Sequence, residues 1–567
     1  MKTQISLLRF GSIVCVMLFV FTVNTQAITY EVGPGKPFAN IGDVEWESLQ
    51  AGDTVLIYWR STPYKEKWVI GRQGTSALPI TVRGVVGPNG ELPIIDGNGA
   101  TTRSQLNYWS QTRGVIKIGG SNIPADTMPR YIVIENLDIR SARPPYTFTA
   151  SNNAVQSYPN NAASIYVEKG ENITIRNCII HDSGNGFFVA SSDDTVSRNI
   201  LVEGNYIYDN GNNGSLFEHN NYTAAIGIVF QYNRFGPLRS GCPGNNLKDR
   251  SAGAIVRYNW IEGGNRQLDL VDGEDSVIIR NDPAYRSTFV YGNVLIEPAG
   301  AGNRQILHYG GDSGNIPDYR KGTLYFYNNT MVSTRTDRTT LFRLSTNEET
   351  CDARNNIFYI TNTGNNLSLI DDTGILNLSH NWFKPGWVIS FGTPTGTVNN
   401  DGTSVQGSSP GFVNEATQDF RLATNSAAIN TGTSLNSSVL PANNLVRQYV
   451  RHQLNESRPT SGMFDIGAFE FPGAPTAIPV DITTTSLPNI RRGRFYQQTL
   501  EATGGIPMYF WAIESGELPY GMTLNPITGT ISGKVSVKGS WTFTIKVQDS
   551  LNHAVTAMRQ FSITITL

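Results

Sequence analysis

The sequence predicts an all-β protein: one long solenoid of stacked parallel β coils, followed by a small β-sandwich. Three observations carry this. Charged residues make up only 16% of the chain, while Gly and Tyr are abundant, at 56 and 24 residues. That balance suits short strands and many polar turns rather than helical bundles. A strand–Asn–strand unit recurs through the middle of the chain. Residues 483–567 alternate polar and apolar positions between turn residues, the pattern of a sandwich.

A chain of 567 residues is too long for one ordinary globular core, so it divides into domains or grows as a quasi-one-dimensional stack. The net charge is −2, which gives no global field to recruit nucleic acid or acidic lipid. Lys2 and Arg9, the apolar run from Ile13 to Val23, and Thr25-Gln26-Ala27 read as an export signal over residues 1–27. The apolar run is too short to span a bilayer, so no integral membrane segment is expected. The expected location is outside the cytoplasm: secreted, at the cell surface or in a periplasm. A monomer is expected. Export leaves Cys178, Cys242 and Cys351, too few for a disulfide framework, and these read as buried or free thiols with one pair possible. No Cys/His cluster has zinc spacing.

The repeat is the main signal. Ile173–Asn177, Ile200–Asn205, Val229–Asn233, Ile255–Asn259, Phe289–Asn293, Leu324–Asn329, Ala353–Asn356 and Leu376–Asn381 each run a short strand into Asn. The aligned asparagines are about 25 to 36 residues apart, near one coil of a parallel β-helix. No coil can bury its apolar face alone, so the coils must stack. Asn tolerates a left-handed bend, and stacked Asn side chains can hydrogen-bond from coil to coil. Before the repeat, Asn40 to Leu49 reads as a short amphipathic helix capping the open end. The stack is expected over residues 28–471, ending near Asp465–Glu470. A Pro-rich linker is placed at 472–482. Residues 483–567 form an Ig-like sandwich with Trp511 as a core aromatic.

The body resembles the right-handed parallel β-helix superfamily that includes pectate, alginate and chondroitin lyases and polygalacturonases. Gly52-Asp53-Thr54-Val55, Pro63-Tyr64, Ser409-Pro410-Gly411-Phe412, Asp419–Leu422 and Asp465–Ala468 carry the likeness. Asn245–Ser251 resembles the strand that carries the Lys base in alginate and chondroitin-type lyases. The Arg that assists in that group about one coil later has no counterpart in Gln267–Gly273. No Gly-His-Gly or Arg-Ile-Lys of the polygalacturonases is present. Gly504–Pro507, Leu518-Pro519, Gly521–Leu524 and Gly529–Gly533 resemble Ig domains of bacterial surface proteins. The resemblance implies a carbohydrate-active protein.

Stacking would gather residues of successive coils on one outer wall. The two-residue alternation puts Lys248, Arg250 and Asp269 outward, with Leu247, Leu268 and Leu270 inward. Glu218, His219, Tyr222, Arg266, Asp272, His308 and Tyr309 complete the candidate cluster. A uronate lyase needs a cation on the sugar carboxylate and a base for the neighbouring proton. Lys248 is the candidate base, with a pKa lowered by Arg250, and Tyr222 or His219 the second acid–base group. Glu218, Asp269, Arg266, His308 and Tyr309 are candidate substrate contacts. Asp269 and Asp272, with Glu274 and Asp275 nearby, could instead hold Ca²⁺ or serve as a hydrolase's carboxylate pair. Each residue also has a plainer reading: solvated ion pairs for Lys248 and Arg250, acidic turns, and packed His and Tyr rings. Three functions stay open: a secreted lyase acting on a uronic-acid polysaccharide, a hydrolase on the same scaffold, and a polysaccharide-binding surface protein.

Overall fold

The computed structural model describes residues 27–460, 462–472, 479–504, 509–549 and 555–567. The predicted export signal therefore lies outside the described residues, except for Ala27. Among the described residues, no helix is long and apolar enough to cross a membrane.

Three long sheets of thirteen, eleven and thirteen strands run side by side along one axis, and the chain visits them in turn. Neighbouring strands within a sheet come from successive coils and are parallel in almost every pair. One inward column shows why the sequence stacks this way. Ile132, Ile173, Ile200, Ile228 and Ala254 stand in direct register on five consecutive coils, and all five are buried. Each large apolar side chain placed so contributes about 1.5–3 kcal/mol relative to exposure.

The asparagine repeat forms an internal ladder. Asn205, Asn233, Asn259, Asn293, Asn329, Asn356 and Asn381 are all buried. From Asn205 to Asn356, each donates its backbone N–H and an Nδ2–H to Oδ1 of the next, at 2.9–3.1 Å. The other Nδ2–H reaches a carbonyl one coil back in the chain's path, as from Asn293 to Val256 at 2.9 Å. The left-handed bend falls one residue earlier than expected, on Gly204, Tyr232, Tyr258, Gly292, Asn328, Asn355 and His380. The ladder Asn is thus chosen for its amide, and the bend is borne by whatever precedes it. Asn293→Ala would strip Asn259 of an acceptor for two donors and leave Asn329 Oδ1 with only the backbone donor of residue 293. We expect a loss of about 3 kcal/mol or more, read as a lower denaturant midpoint at unchanged m-value.

Residues 40–49 do cap the stack, but not as a helix. Only Ile41–Asp43 forms a 3₁₀ turn. Ile41, Val44, Trp46 and Leu49 are all fully buried, and Trp46 stacks on Trp68 at 4.8 Å. At about 100° per residue, positions 41 and 46 would sit on different sides of a helix. Burying all four side chains therefore requires an irregular path.

The coils also close earlier than expected. The last parallel strands are Thr397–Asn400 and Val405–Gln406. Residues 407–471 then return along the outside of the stack as two hairpins and connecting turns. Phe420 and Tyr449 stack on Trp260, and Leu435, Val439 and Leu445 cover a row formed by Tyr258, Tyr291 and Tyr327. Asp465–Glu470 is part of this strap rather than a final coil.

The C-terminal segment is a separate sandwich of a four-stranded and a three-stranded sheet. Trp511 lies in its core with Phe543, Ile545, Val547, Phe561 and Ile563, as the alternation predicts. Among the described residues Cys178, Cys242 and Cys351 are all free, the first and last buried. Cys178 occupies the ladder position before Asn205, giving its N–H to Asn205 Oδ1 at 2.9 Å.

Candidate functional site

Six strands of one sheet build the wall: β1 (Asn185–Val189), β2 (Asn221–Thr223), β3 (Leu247–Asp249), β4 (Leu268–Leu270), β5 (Gln305–Tyr309) and β6 (Thr339–Leu344). Their register aligns Phe188, Tyr222, Lys248, Asp269, His308 and Arg343 in one outward column. Successive members are about 4.8 Å apart, the strand spacing. Residues from β1–β6 and from the loops bearing Phe217 and Asp312 enclose a cleft of about 1120 Å³.

Lys248 sits on the cleft floor, 6% exposed. Its ammonium donates to Asp269 Oδ2 at 2.9 Å and to Asp312. Burial works to lower its pKa, but Asp269 and Asp312 outweigh both burial and the Arg250 charge, and the net direction is upward. Arg250 thus pushes in the expected direction and loses. Lys248 is therefore an ammonium, not a free base. Burial works to raise the two carboxyl pKa values. Lys248 and His308 hold Asp269 well below its ordinary value, and Lys248 and Arg250 hold Asp312 below its own.

Arg250 is buried and reaches four groups. Nε donates to the Tyr222 hydroxyl oxygen at 2.9 Å, Nη2 to Asp312 at 2.9 Å, and Nη1 to the Asp272 carbonyl at 2.7 Å. Glu274 lies 2.7 Å from Nη2. Burial raises the Tyr222 pKa against the opposing pull of Arg250 and Lys248, so Tyr222 is a neutral phenol.

The two histidines are neutral and fixed. Burial, then Lys248, pushes His219 down to about 3. Its Nδ1 accepts the Asn245 N–H at 2.9 Å, which leaves the proton on Nε2. His219 is therefore a fixed donor and not the acid–base group expected. Burial also lowers the His308 pKa. Its Nδ1 lies 2.8 Å from Asp269 Oδ1 and its Nε2 2.9 Å from Ser345 Oγ. An ionised Asp269 can only accept, so Nδ1 carries the proton and Nε2 accepts from Ser345. Unfolded His219 titrates near 6.5 and the folded form near 3. The unfolded chain binds the extra proton between those values, so this contribution to stability is lost as pH falls from about 6.5 toward 3. We expect His219→Gln to flatten the stability–pH slope in that window relative to wild type, measured by denaturation at several pH values.

Of the remaining predicted residues, Glu218, Arg266 and Glu274 line the cleft. Tyr309 does not. It is fully buried and stands opposite Leu270 in the apolar core, because the alternation that turns His308 outward turns Tyr309 inward. Asp272 is fully buried, and its Oδ1 accepts the Asp312 N–H at 2.8 Å, so it braces the loop instead of facing the cleft. Among the described residues no group of three or more His, Cys, Asp or Glu is placed to hold a metal ion. Asp269 already has Lys248, His308 and Asn245 as partners. Asp249, next to Lys248 in sequence, points inward to Thr223, Ser251 and Arg320. The sequence reading missed Asp312, Phe217 and Arg343. The first two sit on aperiodic loops; the third was legible as the outward residue of the next coil.

Two family models agree with this architecture. The family described as "Right handed beta helix region" matches residues 140–302, and that described as "Putative Ig domain" matches residues 475–566. No curated protein matches. Among solved structures, the chain is similar to a lacto-N-biosidase from Eubacterium ramulus, 12% identical over 67% of each chain, TM-score 0.37. It is similar to a pectin methylesterase from Aspergillus niger, 10% identical over 73% of this chain and 93% of that one, TM-score 0.23. A "putative alpha-galactosidase" from Bacteroides fragilis matches at 24% identity over 16% of this chain, TM-score 0.14, and the match spans 19% of that protein's length. The chain is a right-handed parallel β-helix protein with an Ig-like domain at its C-terminus.

Proposed function

We propose that the cleft binds an acidic polysaccharide and cleaves it by β-elimination beside a uronate. The observation that supports this most is the Lys248–Asp312 contact on the cleft floor. For both groups burial is the largest influence, and it opposes the charged form. A sugar chain filling the cleft removes water and strengthens that influence. The ammonium proton then passes to Asp312, leaving a neutral amine beside a carboxylic acid. Lys248 takes the proton next to the uronate carboxyl group, the bond to the leaving oxygen breaks as the double bond forms, and Asp312 protonates that oxygen. The pair returns to its resting charges in one turnover. Arg266, which lines the cleft, neutralises the uronate carboxylate as the proton leaves.

The test is to incubate the purified protein with a panel of uronic-acid polysaccharides, with and without Ca²⁺. Elimination creates an unsaturated sugar that absorbs ultraviolet light. Chain shortening without that absorbance would replace elimination with hydrolysis, and binding without cleavage would leave only a lectin-like role. Phe217, 80% exposed at the rim, offers a platform for a sugar ring. Phe217→Ala is expected to leave stability within about 0.5 kcal/mol and to weaken glycan binding by about 1 kcal/mol or more, measured by calorimetry.

A further inference from the structure

The cleft is electrically lopsided along the axis of the coils. Arg266, on the coil of Asp269, is 9% exposed, yet its guanidinium bonds only to the neutral amide of Gln305, at 2.7 and 3.2 Å. Among the described residues no carboxylate forms an ion pair with it or with Arg343, the outward residue two coils further on. A buried cation without a direct ion pair is costly: burial, and then the Arg343 charge, work against the Arg266 cation, while Asp269, Asp312 and Asp371 favour it only from a distance, and the net direction of its pKa is downward. Towards the other end, on the coil of Tyr222, Glu218 is 3% exposed and its Oε2 has no hydrogen-bond partner. No cation pairs with it among the described residues. Beside it are the exposed rims of Phe217 and Leu216. The remaining cleft arginine without a carboxylate, Arg113, rests on the Tyr166 and Phe188 rings, which offset its charge.

We infer that Arg266 and Arg343 form a subsite for an anionic sugar substituent, and that Glu218 with Phe217 forms a subsite for an uncharged sugar. The glycan therefore enters in one orientation, with a charged unit at the arginine end and an uncharged unit at the Glu218 end. The coils of Glu218 and Arg343 are four steps apart, about 19 Å, enough for several sugar units. A carboxylate or a sulfate ester satisfies the cationic end equally well in chemistry. A polymer charged at every unit would place an anion against Glu218, which repels it. This assignment rests on the reading of the cleft as a glycan site, and deepens it.

The probes are glucuronate, inorganic sulfate and glucose, titrated by calorimetry into the full-length protein. Glucuronate or sulfate is expected to bind wild type, with affinity at least tenfold lower in Arg266→Met and in Arg343→Gln, and glucose affinity unchanged in both. The anion that binds tighter identifies the substituent. Glu218→Gln is expected to raise affinity for a uniformly charged oligouronate several-fold and leave glucuronate binding unchanged. Anion affinity that ignores both arginine variants, or no anion binding to wild type, overturns the subsite. Cleavage of uronate polymers is scored separately. Cleavage with arginine-independent anion binding sinks this inference and spares elimination; the reverse pattern spares the subsite and sinks elimination.

Discussion

Lys248→Ala is expected to lower turnover by about 10²–10⁴-fold, the range for loss of a positioned acid–base group, followed as the rate of ultraviolet absorbance gain. The variant leaves Asp269 with His308 and Asn245, and Asp312 with Arg250, so the cleft wall keeps most of its bonds. Asp312→Asn separates charge from shape. It removes the proton donor and also a carboxylate that holds the Lys248 pKa up. Its residual activity is expected to fall comparably, and the apparent pKa of the base limb to move to lower pH. Wild-type turnover in Lys248→Ala would end the acid–base assignment. Loss of activity in Lys248→Ala with full activity in Asp312→Asn would leave Lys248 in place and transfer the donor role elsewhere.

Asp249→Ala is expected to destabilise the protein by about 3–5 kcal/mol, the cost of stripping one partner from a buried pair. β3 places Asp249 at an inward position that other coils give to apolar residues, such as Leu270 on β4. Its carboxylate accepts from Thr223 and Ser251 at 2.7 Å and lies 3.8 Å from Arg320. Arg320 is fully buried and also donates to the Ser251 carbonyl at 2.7 Å. Removing the carboxylate strands that guanidinium. The double variant Asp249→Ala/Arg320→Met is expected to recover much of the loss, since apolar replacement of a whole buried pair is often near neutral. Denaturant midpoints of the four proteins in the cycle give the coupling. A single-variant loss below 1 kcal/mol would remove Arg320–Asp249 as the brace under the cleft strand.

The solenoid was legible because its code is periodic. A strand running into Asn at a steady interval is a backbone requirement written as side chains, and the ladder from Asn205 to Asn381 is its structural form. The reading placed the left-handed residue on that Asn because both properties belong to Asn in general; the structure divides them between neighbours, and Tyr232 and Tyr258 show that the bend tolerates even a ring. The wall was legible for the same reason: Tyr222, Lys248, Asp269 and His308 follow from register alone. Tyr309 was misplaced against that very rule. Asp312, Phe217 and the orphaned Glu218 oxygen could not be read this way, since loops carry no period and a missing partner leaves no trace in sequence. The direction of the Lys248 shift needed the positions of both carboxylates.

The return strap has a mechanical consequence. A linear array whose units touch only their neighbours tends to fray from its ends. Here Gln453 donates to the Gly204 carbonyl at 2.8 Å, Val446 to the Tyr258 hydroxyl at 3.1 Å, Ala468 to Thr330 at 3.0 Å, and Asn355 to the Thr433 carbonyl at 2.8 Å. One segment thus clasps turns of the spiral that lie far apart in sequence. Tugging on the tail would load that clasp before any turn could peel away, so rupture should come as a single event and not rung by rung.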